Sequence, residues 1–249
     1  GILPVAEPEK YLFFNSRNSN VPGDRSSLSE LANEWANRIL PQWNFCGPRV
    51  WIDAPSKVAA SGMLECVRRF SERIVAVNLG VGGNARKRLD DDFERKLLAA
   101  LLSETGTTVI LDCGSGPEEK ERAGRLLDAL NSRGIHADKT DLGGPMDGRI
   151  SLTTPGIISL ECGMGEIAAV IAGCDEFIGY DSACQHIAAA AGVPSCTVFA
   201  GSNNPRFVRR WHAKGKARSE IVHVDTLSRQ QPFNHEDIIQ RINSARNIV

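Results

Sequence analysis

The chain has 249 residues, with 29 Lys plus Arg against 30 Asp plus Glu and a formal net charge of -1. Its 42% hydrophobic and 24% charged residues are typical of a soluble globular protein and exclude a disordered tail or a disulfide-dependent miniprotein. The nearly balanced charge argues against bulk binding to nucleic acid or to an anionic membrane. No stretch approaches the roughly 18 apolar residues of a membrane span, so no transmembrane segment is predicted.

The seven cysteines are odd in number, widely spaced and without a Cys-x-x-Cys pair. This pattern predicts reduced thiols that serve as small buried hydrophobes, and it places the protein in the cytoplasm. The five histidines are isolated, so neither they nor the cysteines have the spacing of a zinc site, and no metal is predicted.

Residues 1–47 differ in composition from the rest and are predicted to be an N-terminal segment or linker. They contain an aromatic and apolar run at 11–14, a polar stretch at 15–25, and a helix at 27–40. Ser27 is a good N-cap for that helix and Pro41 ends it. This segment either packs on the following domain or belongs to a neighbouring one.

Residues 48–249 are predicted to form one Rossmann-like, doubly wound α/β domain with a parallel sheet. A strand at 50–53 and a helix at 58–70 precede a regular alternation of short β-branched runs and longer helical patterns, which is typical of βαβ units. The predicted strands are 74–79, 107–112, 175–180, 195–199 and 221–224. The predicted helices that follow them are 90–104, 118–132, 165–173, 182–192 and 235–247.

The first candidate binding loop follows the strand at 74–79 and reads GVGGNARKR over residues 80–88. Gly82 and Gly83 allow a ligand to approach the backbone, and three cations follow, a combination that suits a phosphate or diphosphate. The loop fits neither a Walker A motif nor G-x-G-x-x-G. A plain glycine turn beside a solvated charge run explains it equally well.

The second candidate loop spans residues 112–119 and ends with two acids, Glu118 and Glu119. Acids in the first turn of a helix complement its dipole, which by itself explains both residues. A carboxylate after a strand is also where dinucleotide-binding folds hydrogen-bond ribose hydroxyls.

The third candidate loop is the most specific, because Asp181 and Ser182 open a small-residue helix directly after a strand. The free N–H groups of such a helix are suited to phosphate, and His186 lies one turn inside it. Helix capping by the first two residues and a core role for the histidine are the structural alternatives. A hydrolase triad is disfavoured since the chain has no G-x-S-x-G elbow.

With these loops in view, the chain resembles glycosyltransferase family nine, the ADP-heptose:lipopolysaccharide heptosyltransferases. Residues 181–186, which read DSACQH, are similar to the Asp-Ser/Thr-Gly-x-x-His signature of that family. Residues 165–175 resemble the helix that precedes it, and the likeness extends over about 74–215.

The resemblance implies the C-terminal, nucleotide-sugar-binding half of a GT-B glycosyltransferase. An ADP-sugar or related donor is implied, with no other cofactor and no metal, and so is inverting transfer to a glycan or lipid-linked glycan acceptor. Residues 1–47 would then be a remnant of an acceptor domain. The catalytic base and the oligomeric state are not assigned. The predicted location stays cytoplasmic, with a peripheral position at the inner membrane left open.

Carried over residue by residue, the resemblance implies a donor site with four parts. Lys87 and the N–H groups of Ser182 and Ala183 hold the diphosphate, next to the phosphate loop with Gly82 and Gly83. Glu118 binds the ribose, the 162–164 region with Met164 binds the base, and Asp181 and His186 line the sugar side.

Three positions depart from the family pattern: Ala183 replaces the usual glycine, Cys184 a proline or leucine, and Arg88 an aromatic residue. These departures leave the sugar open. Two other functions also stay open. One is a non-catalytic nucleotide-sugar-binding module, and the other is a nucleotide-sugar epimerase with Asp181 and His186 as its acid and base.

Overall fold

The structure is a computed structural model of the chain. It describes residues 7–11, 26–40, 42, 44–114, 116–142, 150–228 and 233–246. The predicted run at 12–14, the polar stretch at 15–25 and the last residue of the predicted terminal helix, Asn247, lie outside these ranges. Among the described helices, none is both long enough and apolar enough to cross a bilayer.

Within the described residues, seven parallel strands form a single sheet in the spatial order β3-β4-β2-β1-β5-β6-β7. Their bounds are β1 Arg73–Asn78, β2 Thr107–Asp112, β3 Ala137–Asp141, β4 Ile157–Glu161, β5 Glu176–Tyr180, β6 Ser195–Phe199 and β7 Ser219–His223. The central strands are buried on both faces, as their continuous apolar sequences require. The predicted Rossmann-like, doubly wound fold is confirmed.

Eight α-helices lie in the described ranges, and most of them cover the two faces of the sheet. Their bounds are α1 Leu28–Ile39, α2 Ala54–Arg68, α3 Asp91–Leu102, α4 Pro117–Asn131, α5 Met164–Gly173, α6 Ala183–Ala191, α7 Pro205–Trp211 and α8 His235–Arg246. Helices α3, α4 and α8 pack on one face and α2, α5 and α6 on the other, each set around its own hydrophobic core.

The predicted strand at 50–53 is wrong. Asp53 instead caps α2 by accepting a hydrogen bond from the Ser56 N–H, and Pro55 occupies the first turn. These start signals begin the helix at Ala54, four residues before the predicted position 58.

Three elements escaped the sequence prediction: β3, β4 and α7. Strand β3 is a polar edge strand, ADKTD, which lacks the apolar pattern of a buried strand. Strand β4 carries a buried run, IISL, that is short enough to read as either a strand or part of a helix. Helix α7 begins with an Asn204 cap and Pro205, signals that identify a short helix only weakly.

The strand order reverses between β1 and β5. From β1 the chain winds outward through β2 to β3 and β4, whereas from β5 it winds the other way through β6 to β7. In open α/β sheets, ligands bind beyond the carboxyl ends of the strands at such a reversal. Here the loop after β1 and the loop between β5 and α6 meet at that point.

Candidate functional site

Lys87 and Asp181 form an ion pair where the β1 and β5 loops meet. The distance from Lys87 Nζ to Asp181 Oδ2 is 2.7 Å, and the side chains are 28% and 8% exposed. Gln185, one turn into α6, donates from Nε2 to Asp181 Oδ1 at 2.7 Å. The acidic group is therefore held from two sides, and the lysine is the partner with access to solvent.

A tightly anchored loop delivers Lys87 to this point. The 3-10 turn Ala85–Lys87 begins at Asn84, whose side chain accepts from the Arg86 N–H. Arg88 then reaches the buried Glu94 of α3 with an Nε to Oε1 distance of 2.9 Å. Leu89 follows, and its N–H donates to the buried Tyr180 hydroxyl at 3.1 Å. The lysine thus sits on a loop fixed at both ends.

The first turn of α6 presents uncapped backbone N–H groups. Ser182 is the N-cap residue, but its side chain accepts no hydrogen bond from the helix. Its Oγ instead donates to Asn78 Oδ1 at 3.1 Å. Ala183 begins the helix in an ordinary right-handed conformation, so alanine replaces the family glycine here without backbone strain.

Asn78 links this turn to the end of β2. Its Nδ2 donates to Asp112 Oδ2 at 2.6 Å, and Asp112 Oδ1 accepts from the Gly114 N–H at 2.9 Å. Burial raises the pKa of Asp112, and the hydrogen bonds from Gly114 and Asn78 oppose that shift. The carboxyl ends of β1, β2 and β5 are thereby joined by polar side chains.

Gly82, Gly83 and Glu118 line an open cleft of about 520 Å³ between the β1 loop and the start of α4. Both glycines have positive φ, 58° and 77°, a conformation that favours glycine. Arg122, which also lines this cleft, donates to the Leu79 carbonyl at 2.7 Å and so fixes α4 to the loop. The structure brings the first two predicted loops together here.

Met164 and His186 lie on either side of these groups. Met164 opens α5 after β4 and is 61% exposed. The His186 ring packs edge-on to Trp211, with 6.5 Å between ring centroids. Partial removal from water lowers the pKa of His186, and the charge of Asp181 opposes this shift. Met164 is therefore accessible to solvent. His186 lies near the site, where it packs against Trp211.

Three polar residues of the site were missed by the sequence reasoning: Asn78, Asp112 as a structural acid, and Gln185. Asn78 carried a usable signal, since an asparagine that ends a strand with apolar neighbours needs hydrogen-bond partners. Gln185 carried none, because its contact with Asp181 depends on the way α6 docks.

No group of three metal-ligating side chains occurs in the described parts of the chain. Lys87 and the first turn of α6 offer positive charge to an anion at this point. The fold and the site together define a Rossmann-like α/β protein that can accept an anion at the point where the strand order reverses, between β1 and β5.

The sequence model of glycosyltransferase family 9 (heptosyltransferase) matches residues 157–239. The predicted resemblance to this family is confirmed. Met164, Asp181, Ser182, Ala183 and His186 lie inside the matched range, whereas the loops before residue 157 lie outside it. No curated protein sequence matches the chain.

Solved structures of the same fold include a family 9 glycosyl transferase and two heptosyltransferases. A glycosyl transferase family 9 protein from Veillonella parvula DSM 2008 superposes with a TM-score of 0.59 at 12% identity, covering 88% of this chain and 60% of that one. E. coli ADP-heptose lps heptosyltransferase II gives 0.55 at 18%, covering 84% and 56%. E. coli heptosyltransferase WaaC with ADP gives 0.55 at 19%, covering 87% and 56%. The chain thus spans less than two thirds of the length of these structures.

Proposed function

We propose that this chain is the donor-binding part of a GT-B glycosyltransferase and that it binds an ADP-sugar. The observation that carries the proposal is the junction of β1 and β5, where Lys87 and the uncapped first turn of α6 lie at the topological switch point. A lysine and free backbone N–H groups are the ligands that metal-independent diphosphate binding needs.

The order of the strands supports a nucleotide that lies across the sheet. Met164 follows β4, Glu118 follows β2, and Lys87 and Ser182 follow β1 and β5, in the spatial order β4-β2-β1-β5. Three strand spacings span about 14 Å. The residues proposed for base, ribose and diphosphate are thus arranged in the order in which those groups occur in a nucleoside diphosphate.

The proposed chemistry is inverting sugar transfer. The departing diphosphate gains negative charge as the glycosidic bond breaks, and Lys87 with the N–H groups of Ser182 and Ala183 stabilises that charge. Asp181 and His186 face the sugar. We assign the deprotonation of the acceptor hydroxyl to no residue of this chain. ADP is favoured because one of the similar structures contains it.

The test is thermal unfolding of the chain with saturating ADP, UDP, GDP and CDP in parallel. A ligand at 100 times its Kd adds about 2.7 kcal/mol to stability, which for this size raises Tm by roughly 5–10 °C. The proposal predicts a rise with ADP that is reduced in Glu118→Gln. The exposed Glu121→Gln, in the same helix, is the matched control.

A Tm rise with several diphosphates alike would refute the preference for ADP. No rise with any of them would refute the donor-binding function.

A further inference from the structure

The charges in the C-terminal part of the chain are unevenly distributed. Residues 206–218, which read RFVRRWHAKGKAR, contain six Lys and Arg and no acid. No Asp or Glu occurs between Asp181 and Glu220, a stretch that holds α6, β6 and α7. The net charge of the whole chain, -1, therefore conceals a strongly basic segment.

Helix α7 carries three of these cations on one face. Arg206, Arg209 and Arg210 are three and four residues apart, which is the spacing of neighbours on the surface of a helix. Val208 lies on the opposite face and is buried, so it anchors α7 on the fold. The three arginines therefore lie on the outward side of α7.

The loop after α7 extends the basic surface along α6. Gly215 packs against the Ala189 carbonyl so closely that an added Cβ would collide with it. The loop is thereby held against α6, and the side chain of Lys216 in the same loop is exposed. A fourth cation thus continues the surface that the arginines of α7 begin.

Two other cations of the segment are engaged elsewhere. Glu30 of α1 is close enough to Lys214 for their charges to attract, and Arg218 donates a hydrogen bond to the Arg246 carbonyl. The remaining cations form what we call the α7 surface: Arg206, Arg209, Arg210 and Lys216.

An exposed tryptophan adjoins the α7 surface. Trp211 ends α7 and is 41% exposed, although its ring contacts Phe207 and His186, with 6.2 and 6.5 Å between ring centroids. Tryptophan beside clustered Lys and Arg is typical of membrane-binding surfaces, where the ring lies at headgroup level and the cations attract anionic lipids. Single-stranded nucleic acid would instead stack its bases on open aromatic rings, and both rings here already contact neighbouring side chains.

We propose that the α7 surface docks this protein on an anionic lipid bilayer, with Trp211 at headgroup level. The inference goes beyond the proposed donor binding, because it concerns a different surface and needs no nucleotide. Trp211 contacts His186 of α6, and the first turn of α6 belongs to the candidate site. Docking through α7 would thus hold that site close to the bilayer, where a lipid-linked acceptor lies.

Co-sedimentation of the full chain with lipid vesicles, without nucleotide, tests the proposal. Vesicles of equimolar phosphatidylglycerol and phosphatidylcholine are anionic, and vesicles of pure phosphatidylcholine are neutral. The chain should bind the anionic vesicles and not the neutral ones, and added salt should weaken the binding. Loss of one cation lowers the partition coefficient about fivefold, so Arg209→Gln combined with Lys216→Gln should lower it about 25-fold.

Arg69→Gln combined with Arg133→Gln is the matched control. Both arginines are exposed and follow α2 and α4, so this variant removes the same net charge away from α7. Its partition coefficient should differ from that of wild type by less than about twofold. Since all four substituted side chains are exposed, both double variants should keep the fold.

Fluorescence quenching by lipids brominated near the headgroup tests the position of Trp211. Quenching on anionic vesicles should be smaller in Trp211→Phe than in wild type. Equal quenching in the two proteins would overturn the placement of this ring.

Three results would overturn the docking itself. One is an equal loss of vesicle binding in the two double variants, which would show that net charge alone acts. Another is equal binding to neutral and anionic vesicles. The third is binding to poly(U) RNA without binding to anionic vesicles, which would assign the α7 surface to nucleic acid.

Discussion

Replacing Asp181 with asparagine should tighten ADP binding. In the unliganded chain the Asp181 carboxylate holds Lys87 at 2.7 Å, so it competes with a diphosphate for the same ammonium group. Asparagine keeps the size of the side chain and an oxygen that accepts from Gln185, while it removes the negative charge. The variant therefore isolates electrostatic competition.

The size of the effect follows from the distance and the exposure. Two unit charges about 4 Å apart attract with roughly 4 kcal/mol at an effective dielectric constant of about 20. Lys87 is 28% exposed, and solvent screening reduces the net value of such a pair to about 1 kcal/mol. Releasing that energy tightens ADP binding about fivefold.

Isothermal titration calorimetry of ADP into wild type and Asp181→Asn measures this change. Asp175→Asn is the matched control, because Asp175 precedes the same strand at its opposite end and pairs with Arg68. Its ADP affinity should equal that of wild type. Weaker binding in Asp181→Asn would refute the reasoning and show that Asp181 orients Lys87 for the ligand.

Two further predictions concern the scaffold. Arg246→Met should lower Tm by about 6–20 °C and leave ADP affinity unchanged, because the nearly buried guanidinium pairs with the buried Glu176, and breaking such a pair costs about 3–5 kcal/mol. Gly201→Ala should lower both Tm and ADP affinity, since φ is 72° and the new Cβ would collide with the Arg86 carbonyl oxygen in the loop that carries Lys87. Thermal unfolding and calorimetry check both.

Each of these variants has a control within the chain. Arg125→Met removes an exposed arginine paired with Glu121 and should change stability by at most about 1 kcal/mol. Gly192→Ala introduces the same positive-φ strain, but the nearest atom to its Cβ lies at 3.9 Å, so ADP affinity should not change. A Tm loss in Arg125→Met equal to that in Arg246→Met would contradict the buried-pair account. A loss of affinity in Gly192→Ala would contradict the loop account.

The sequence predicted the architecture because its signals were local and strong. The buried strand that ends at Asn78 and the small-residue helix after Ser182 each show a pattern that one window of sequence reveals. The polar edge strand β3 shows no such pattern, because its pairing with β4 depends on a contact that is distant in the chain. The strength of the local pattern therefore decided what could be predicted, and the short buried run of β4 was missed as well.

The candidate site likewise contains some residues that the sequence identified and others that it did not. Lys87, Asp181 and Ser182 were identifiable from the loops and the family resemblance, and the structure shows that the first two form an ion pair. The position of Asn78 at the end of an apolar strand signals that it needs a hydrogen-bond partner. Its pairing with Asp112 could not be predicted, because that pairing depends on the register of β1 and β2.

In the proposed function, Lys87 holds the diphosphate of the donor. The direct measurement is the Kd of ADP for wild type, Lys87→Met and Arg86→Met, the last of which removes the neighbouring exposed cation in the same turn. A charged hydrogen bond contributes about 1.5–3 kcal/mol, so Lys87→Met should weaken ADP binding about 10- to 150-fold, while Arg86→Met changes it less than about threefold. Equal affinities for wild type and Lys87→Met, or equal losses in the two variants, would contradict the assignment.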